Sequence, residues 1–133
     1  MADHWNHWLE VGAALAPENR PEIFQVNWFK KGADGSFLWP GFGENSRVLE
    51  WMLERVDGKR AAKNSPLGWM PVPGDLNIDG LSLDDETMTA LFDVDAESWG
   101  AEADSTKAFF DKFGDKVPAS LYAQLATLRA KLG

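Results

Sequence analysis

The amino-acid sequence predicts an α+β fold that is mostly helical, with one short β-hairpin. Several stretches place apolar residues three or four positions apart, as one face of a helix requires, and most of these lie in the second half of the chain. Two short runs rich in aromatic residues flank an Asp-Gly pair, a common hairpin signal. No internal repeat is visible, and 133 residues are enough for one core, so we predict a single unit over residues 1–133.

The first part of the chain is predicted to form a helix followed by the hairpin. Residues 3–15 carry apolar side chains at helical spacing, and Asp3 is placed to cap the first turn. Two prolines then break the helical pattern. Residues 23–29 are rich in β-branched and aromatic side chains, which predicts a buried strand. Residues 30–36 form the turn, and residues 37–39 form the second strand.

The rest of the chain is predicted to be helical around one irregular connection. A helix should begin at Glu44-Asn45-Ser46 and run to about Val56, with Asp57-Gly58 as its end. Residues 59–83 contain repeated Pro and Gly, so we expect a connection with at most a small strand pair. Three further helices follow, each opened by an acidic residue or a proline. They span residues 84–92, 96–113 and 119–132.

Composition and charge exclude several classes of function. With 21 acidic and 13 basic side chains the net charge is −8, which disfavours nucleic acid and anionic membranes as partners. There is no Cys, so neither a disulfide framework nor a thiolate nucleophile is available. No apolar run approaches the ~18 residues of a membrane span. We expect a cytoplasmic protein.

The densest group of aromatic residues surrounds the predicted turn and the loop after it. Phe29 and Phe42 could face each other as the two flat walls that a purine needs, and the two glycines beside Phe42 allow close backbone approach. Asn45 could read the base edge, because a carboxamide can donate to guanine O6 and accept from a guanine N–H. Free backbone N–H groups at the helix start would favour O6 further. Spacing alone favours a plainer interpretation, in which these rings are core and these glycines are turns.

A family resemblance supports the nucleotide interpretation. The run Val26-Asn27-Trp28-Phe29, together with residues 37–51, closely resembles the GTP-dependent phosphoenolpyruvate carboxykinase family. Weaker similarity extends over essentially the whole chain and corresponds to roughly the last fifth of that family. The resemblance implies that the chain is a carboxy-terminal piece of a larger α/β enzyme domain.

The resemblance also implies a guanine site. In that family the guanine ring lies between aromatics that match Phe29 and Phe42, and the residue matching Asn45 contacts the base edge. The predicted guanine-binding residues are therefore Trp28, Phe29, Phe37, Phe42, Gly43, Glu44 and Asn45.

The chemistry of the family implies what this segment lacks. Such enzymes interconvert oxaloacetate and GTP with phosphoenolpyruvate, CO₂ and GDP, in gluconeogenesis or anaplerosis, with Mn²⁺ at the active site and Mg²⁺ on the nucleotide. The residues responsible precede this segment in the family, and the chain has no G-x-x-x-x-G-K-[ST] motif. We therefore expect GTP or GDP as ligand, no catalytic residue and no metal site here, and Mn²⁺ and Mg²⁺ only in the full-length enzyme. The chain alone should be inactive, and the amino-terminal part of the enzyme should be its partner.

Other polar candidates have plainer explanations. His4 and His7 lie three apart beside Asp3, but a metal site would need a further, distant ligand. Lys30 and Lys31 could attract phosphates, although a lysine pair at a turn is more often solvated. Two alternatives to guanine binding remain: a module that binds a sugar or a proline-rich peptide on exposed Trp side chains, and a segment whose aromatics dock onto a missing partner domain.

Overall fold

The computed structural model describes all 133 residues, Met1–Gly133, and confirms the predicted fold class. It contains five α-helices and one antiparallel pair of short strands. The helices are α1 (Ala2–Ala14), α2 (Asn45–Val56), α3 (Asp85–Phe92), α4 (Ala96–Asp111) and α5 (Ala119–Leu132). The strands are β1 (Lys63–Ser65) and β2 (Gly68–Met70), with Ser65 opposite Gly68 at the turn.

The chain forms two compact units. One consists of Met1–Pro21 together with Asp95–Gly133, and the other of Glu22–Val94. The first unit therefore contains α1, α4 and α5, and the second contains α2, α3 and the β1–β2 pair. The prediction of a single unit over residues 1–133 stays a prediction.

The first unit is built around Trp5 of α1. Its indole ring meets the rings of Phe110 and Phe113 edge to face, with centroids 5.4 Å apart in both cases. Phe110 in turn meets Tyr122 of α5 at 5.5 Å. Such edge-to-face contacts add to the stabilisation from buried apolar area. The prediction that Asp3 caps α1 is wrong, because the helix begins one residue earlier and Asp3 lies inside its first turn.

The acidic start signals of the later helices are confirmed. The Asp84 carboxylate accepts a hydrogen bond from the Thr87 backbone N–H at 2.8 Å, and Asp95 does the same for Ser98 at 2.8 Å. Each bond satisfies an N–H group that the helix itself leaves without a partner. At Asp84, these hydrogen bonds from Thr87 lower the pKa of the carboxyl group.

The second unit has a core of two tryptophans and one leucine. Trp39 precedes α2, Trp51 lies within it, and Leu76 comes from the loop after β2; all three are buried. Half-buried apolar side chains from α2, α3 and the loops surround them. Trp51 is only 4% exposed, yet its Nε1–H has no hydrogen-bond partner.

The predicted hairpin strands at residues 23–29 and 37–39 do not form. Residues 23–29 are irregular, and Ile23 is 89% exposed rather than buried. The turn itself is present, closed by a single bridge between Lys31 and Phe37 and by a hydrogen bond from the Leu38 N–H to the Lys30 carbonyl. A strand requires a paired neighbour as well as suitable side chains, and none lies beside residues 23–29. The true strand pair lies in the connection over residues 59–83.

Candidate functional site

A pocket of about 280 Å³ opens in the second unit, close to the lower end of the size range of small-molecule sites. It is lined by Trp28, Phe29, Phe37, Trp39, Pro40, Gly41, Phe42 and Asn45. Five of the seven residues predicted to form the site are among them. The other two, Gly43 and Glu44, belong to the 3-10 turn Phe42–Glu44 next to the pocket but do not line it.

Three phenyl rings give the pocket its apolar walls. Phe29 and Phe37 meet edge to face, with centroids 5.8 Å apart and planes at 61°. Their side chains are nevertheless 68% and 57% exposed, and Phe42 is 97% exposed. Large aromatic side chains usually bury most of their surface in a folded protein. These three rings therefore leave open faces on which a flat ligand can stack.

One amide group lies among these rings. The buried Trp39 donates a hydrogen bond from Nε1 to the Asn45 side-chain oxygen at 3.0 Å. An indole N–H is only a donor, so the oxygen end of the Asn45 amide must face Trp39. The sequence predicts that this oxygen accepts a hydrogen bond from a ligand N–H. In the structure, the same oxygen already accepts one from Trp39. The Asn45 NH₂ group is the other end of the same amide.

The backbone of the loop is tightly bonded within itself. Gly41 has φ 81° and ψ −163°, a combination that is essentially restricted to glycine. The Glu44 N–H donates to the Gly41 carbonyl at 2.9 Å, and the Asn45 N–H donates to the Phe42 carbonyl. The expectation that these backbone N–H groups are free for a ligand is therefore wrong at Glu44 and Asn45, because the 3-10 turn uses both.

Arg47 holds this loop against the rest of the second unit. Its Nε donates to the Glu44 carboxylate at 2.5 Å, while Nη1 and Nη2 donate to the carbonyls of Asn77 and Asp79 at 2.9 and 3.0 Å. The guanidinium group is thus occupied by protein acceptors on all three nitrogens. Arg47 and Glu44 therefore connect the start of α2 to the loop over residues 77–79.

The two lysines of the turn differ in their surroundings. Lys30 Nζ donates to the carbonyls of Asp93 at 2.8 Å and Leu91 at 3.4 Å, at the carboxyl end of α3, where a cation is favoured. Lys31 Nζ lies 5.5 Å from the centroid of the Phe37 ring, which lines the pocket. Lys30 is therefore a structural contact, and Lys31 is the one of the pair beside the aromatic walls.

The lining of the pocket suits binding rather than acid–base chemistry. None of its eight residues is ionisable, so it has apolar faces, one oriented amide and no proton donor or acceptor of shifted pKa. Nowhere in the chain do three or more His, Cys, Asp or Glu side chains form a group that could hold a metal ion. No helix combines the length and apolar character that crossing a bilayer requires.

Residues 1–131 match the family model described as the phosphoenolpyruvate carboxykinase C-terminal P-loop domain. The chain belongs to the GTP-dependent phosphoenolpyruvate carboxykinase family. The enzyme named phosphoenolpyruvate carboxykinase [GTP] from Renibacterium salmoninarum is 44% identical over 131 residues, which are 98% of this chain. Those from Treponema pallidum and Neocallimastix frontalis are 43% and 40% identical over 133 residues, or 99% of the chain. The chain spans 22% of the length of each of these curated relatives.

The resemblance to phosphoenolpyruvate carboxykinases is thereby confirmed at the level of the family. The predicted site omitted three lining residues, Trp39, Pro40 and Gly41, although all three lie within the run that carries the resemblance. The sequence predicts that Trp39 lies in the second strand of the hairpin, over residues 37–39. The six-residue separation of Trp39 and Asn45 is not a helix or strand period, so no sequence pattern indicated their hydrogen bond.

Proposed function

We propose that this carboxykinase segment binds the guanine base of GTP or GDP in the pocket of its second unit, in the cytoplasm. One observation carries the proposal: three largely exposed phenyl rings surround an amide whose oxygen end is held by a buried tryptophan. The names of the relatives give GTP as the nucleotide of those enzymes. The predicted binding residues Trp28, Phe29, Phe37, Phe42 and Asn45 line the pocket, while Gly43 and Glu44 shape the turn that carries two of them.

The phenyl rings account for affinity but not for base choice. Stacking of a base on an aromatic side chain contributes about 1–3 kcal/mol, and every base has a flat face. Phe42 is the best placed for this role because nearly all of its side chain is open to solvent. A purine stacked on it would bury apolar surface that the free protein exposes.

The Asn45 amide accounts for the choice of guanine. Guanine carries a carbonyl oxygen at position 6, whereas adenine carries an amino group there. The Asn45 NH₂ group can donate to the oxygen, but it would meet the adenine amino group donor against donor. An unpaired buried donor costs about 1–3 kcal/mol, and each 1.4 kcal/mol corresponds to about tenfold in affinity.

The carboxykinase reaction itself is proposed for the family enzyme and not for this chain alone. The pocket has no carboxylate or imidazole, so a Mg²⁺ or Mn²⁺ site would need such ligands from another part of the enzyme. No metal-dependent step can therefore be assigned to these residues. We expect the isolated chain to be inactive in the reaction of oxaloacetate with GTP, and to supply base recognition to the rest of the enzyme.

A titration of the purified chain with GDP and with ADP, followed by Trp fluorescence, tests the proposal. Trp28 and Trp39 line the pocket and should report on a bound base. Phe42→Ala should weaken GDP binding about tenfold or more, since it removes a stacking surface. Asn45→Ala should reduce the preference for GDP over ADP. Ile23→Ala, which removes an exposed apolar side chain outside the pocket, is the matched control and should change neither.

The same titration separates the alternatives. A sugar-binding or peptide-binding module would be indifferent to guanine. No response to either nucleotide would refute base binding by this chain, and an unchanged preference in Asn45→Ala would refute the edge-reading role.

A further inference from the structure

We propose that Trp39 is a positioning residue for base selectivity: its indole N–H determines which end of the Asn45 amide faces the pocket. This inference rests on the proposed binding of a purine base. Asn45 would contact position 6 of the base, but Trp39 would set the preference for a 6-oxo over a 6-amino purine. Trp39 is not part of the predicted site.

Trp39 is held rigidly enough to fix its neighbour. It is 5% exposed and packs with Trp51 and Leu76 in the core of the second unit. Its Nε1 reaches the Asn45 oxygen at 3.0 Å, a normal hydrogen-bond distance. The backbone of Asn45 is fixed as well, because its N–H closes the 3-10 turn on the Phe42 carbonyl. The remaining freedom of Asn45 lies in its side-chain torsions.

An asparagine amide without such a partner has two nearly equivalent orientations. Its terminal torsion is broad and roughly two-fold, so a half-turn exchanges the oxygen and the NH₂ group at little cost. One orientation presents a donor to the pocket, and the other presents an acceptor that would suit the amino group of adenine. The Trp39 N–H removes this ambiguity because it accepts nothing and can pair only with the oxygen.

The core provides a matched control for Trp39. Trp51 is buried to the same degree, at 4% exposed, but its Nε1–H has no partner. Trp39→Phe and Trp51→Phe remove the same atoms from the same core, and only the first removes a hydrogen bond to Asn45. A difference in base selectivity between the two variants therefore reports on Trp39, which also lines the pocket, and not on general loosening of the core.

The experiment compares the affinities of IDP and ADP for the full chain by isothermal titration calorimetry. The hypoxanthine base of IDP has the 6-oxo group of guanine but lacks its 2-amino group, so the IDP-to-ADP ratio isolates position 6. We expect Trp39→Phe to lower this ratio about tenfold, mainly by improving ADP binding. Trp51→Phe should leave the ratio unchanged.

Asn45→Asp provides a second variant that does not disturb the core. Its carboxylate still accepts from Trp39, but the pocket-facing end becomes an oxygen, so the ratio should invert in favour of ADP. Added charge repels the two diphosphates equally and cancels in the ratio. Asn45→Asp therefore tests the inference even if Trp39→Phe does not fold.

Two results would overturn the inference alone: a preserved ratio in well-folded Trp39→Phe, or a preserved preference for IDP in Asn45→Asp. If the unsubstituted chain does not bind GDP, or binds GDP and ADP equally, the proposed function itself fails. The two failures are therefore distinguishable.

Discussion

Neighbouring residues of the same type have different roles in this molecule, and only their partners distinguish them. Lys30 and Lys31 are adjacent, but Lys30 reaches two backbone carbonyls at the end of α3 and Lys31 lies over an exposed ring. A hydrogen bond to a charged group is more stabilising than a neutral one, provided that its partners are fixed. The carbonyls of Leu91 and Asp93 satisfy that condition. Lys30 therefore attaches the pocket-bearing turn to α3.

This difference gives a prediction for stability. Lys30→Met should lower the free energy of unfolding by about 1 kcal/mol, because the contact to α3 is lost. Lys31→Met removes the same charge from an exposed side chain and should change it by less than about 0.5 kcal/mol. Urea denaturation of both variants measures the difference. Equal effects would contradict the structural role of Lys30.

At the scale of elements, local signals predicted the helices well and the strands poorly. Asp84 and Asp95 mark the starts of α3 and α4, because each side chain accepts a hydrogen bond from the backbone N–H three residues later. This interaction lies within one helical turn, so the sequence shows it directly. Residues 23–29 have strand-like side chains but no neighbouring strand, and a sequence pattern does not reveal whether a neighbour exists. The bond from Trp39 to Asn45 depends in the same way on how a loop folds back. Residue types indicated Phe29, Phe42 and Asn45, and the family resemblance added Trp28 and Phe37, whereas tertiary structure decides the hydrogen bonds of the pocket.

The loop before α2 gives a prediction about backbone conformation. Gly41→Ala should be destabilising by about 1–3 kcal/mol, since its φ of 81° and ψ of −163° are strained for any side chain. It should also displace Phe42 and weaken GDP binding. Gly43→Ala is the matched control for stability, because its φ is not in the positive range and an added Cβ would meet nothing within 4 Å. Thermal unfolding with GDP titration distinguishes them, and equal tolerance would contradict the constraint at Gly41.

The cap of α3 gives a prediction about pH. The hydrogen bonds from Thr87 lower the pKa of Asp84 below its ordinary value of 3.8. A lowered folded-state pKa contributes stability that is fully present above the unfolded pKa and is lost as pH falls through the folded one. At neutral pH, Asp84→Ala should therefore be less stable than the parent chain, and this gap should narrow below about pH 4. Urea denaturation at a series of pH values measures it, and a constant gap would argue against capping by the ionised carboxylate.

At the scale of the whole molecule, net charge disfavours association between copies of the chain, whereas exposed apolar surface favours it. The chain has a net charge of −8, which keeps copies apart at low salt. It also has one helix face of unpartnered apolar side chains: Leu49, Leu53 and Val56 of α2 are all exposed and lie on the same side of the helix. Val48 and Met52 also lie on α2 and are half-buried. Only these two pack against the core.

This balance gives a prediction about association and bears on the docking alternative. Salt at about 0.1 M shortens the range of charge repulsion to about 10 Å, so self-association of the chain should increase with ionic strength and concentration. Leu53→Glu should reduce that association, because it places a charge within the apolar face of α2. Ile23→Glu adds the same charge at an exposed position outside that helix and should reduce it less. Light scattering measures both variants. If the chain stays monomeric under all conditions, this face of α2 is not an association surface. Association through this face would instead support the docking alternative, in which the remaining 78% of the relatives' length covers it in the family enzyme.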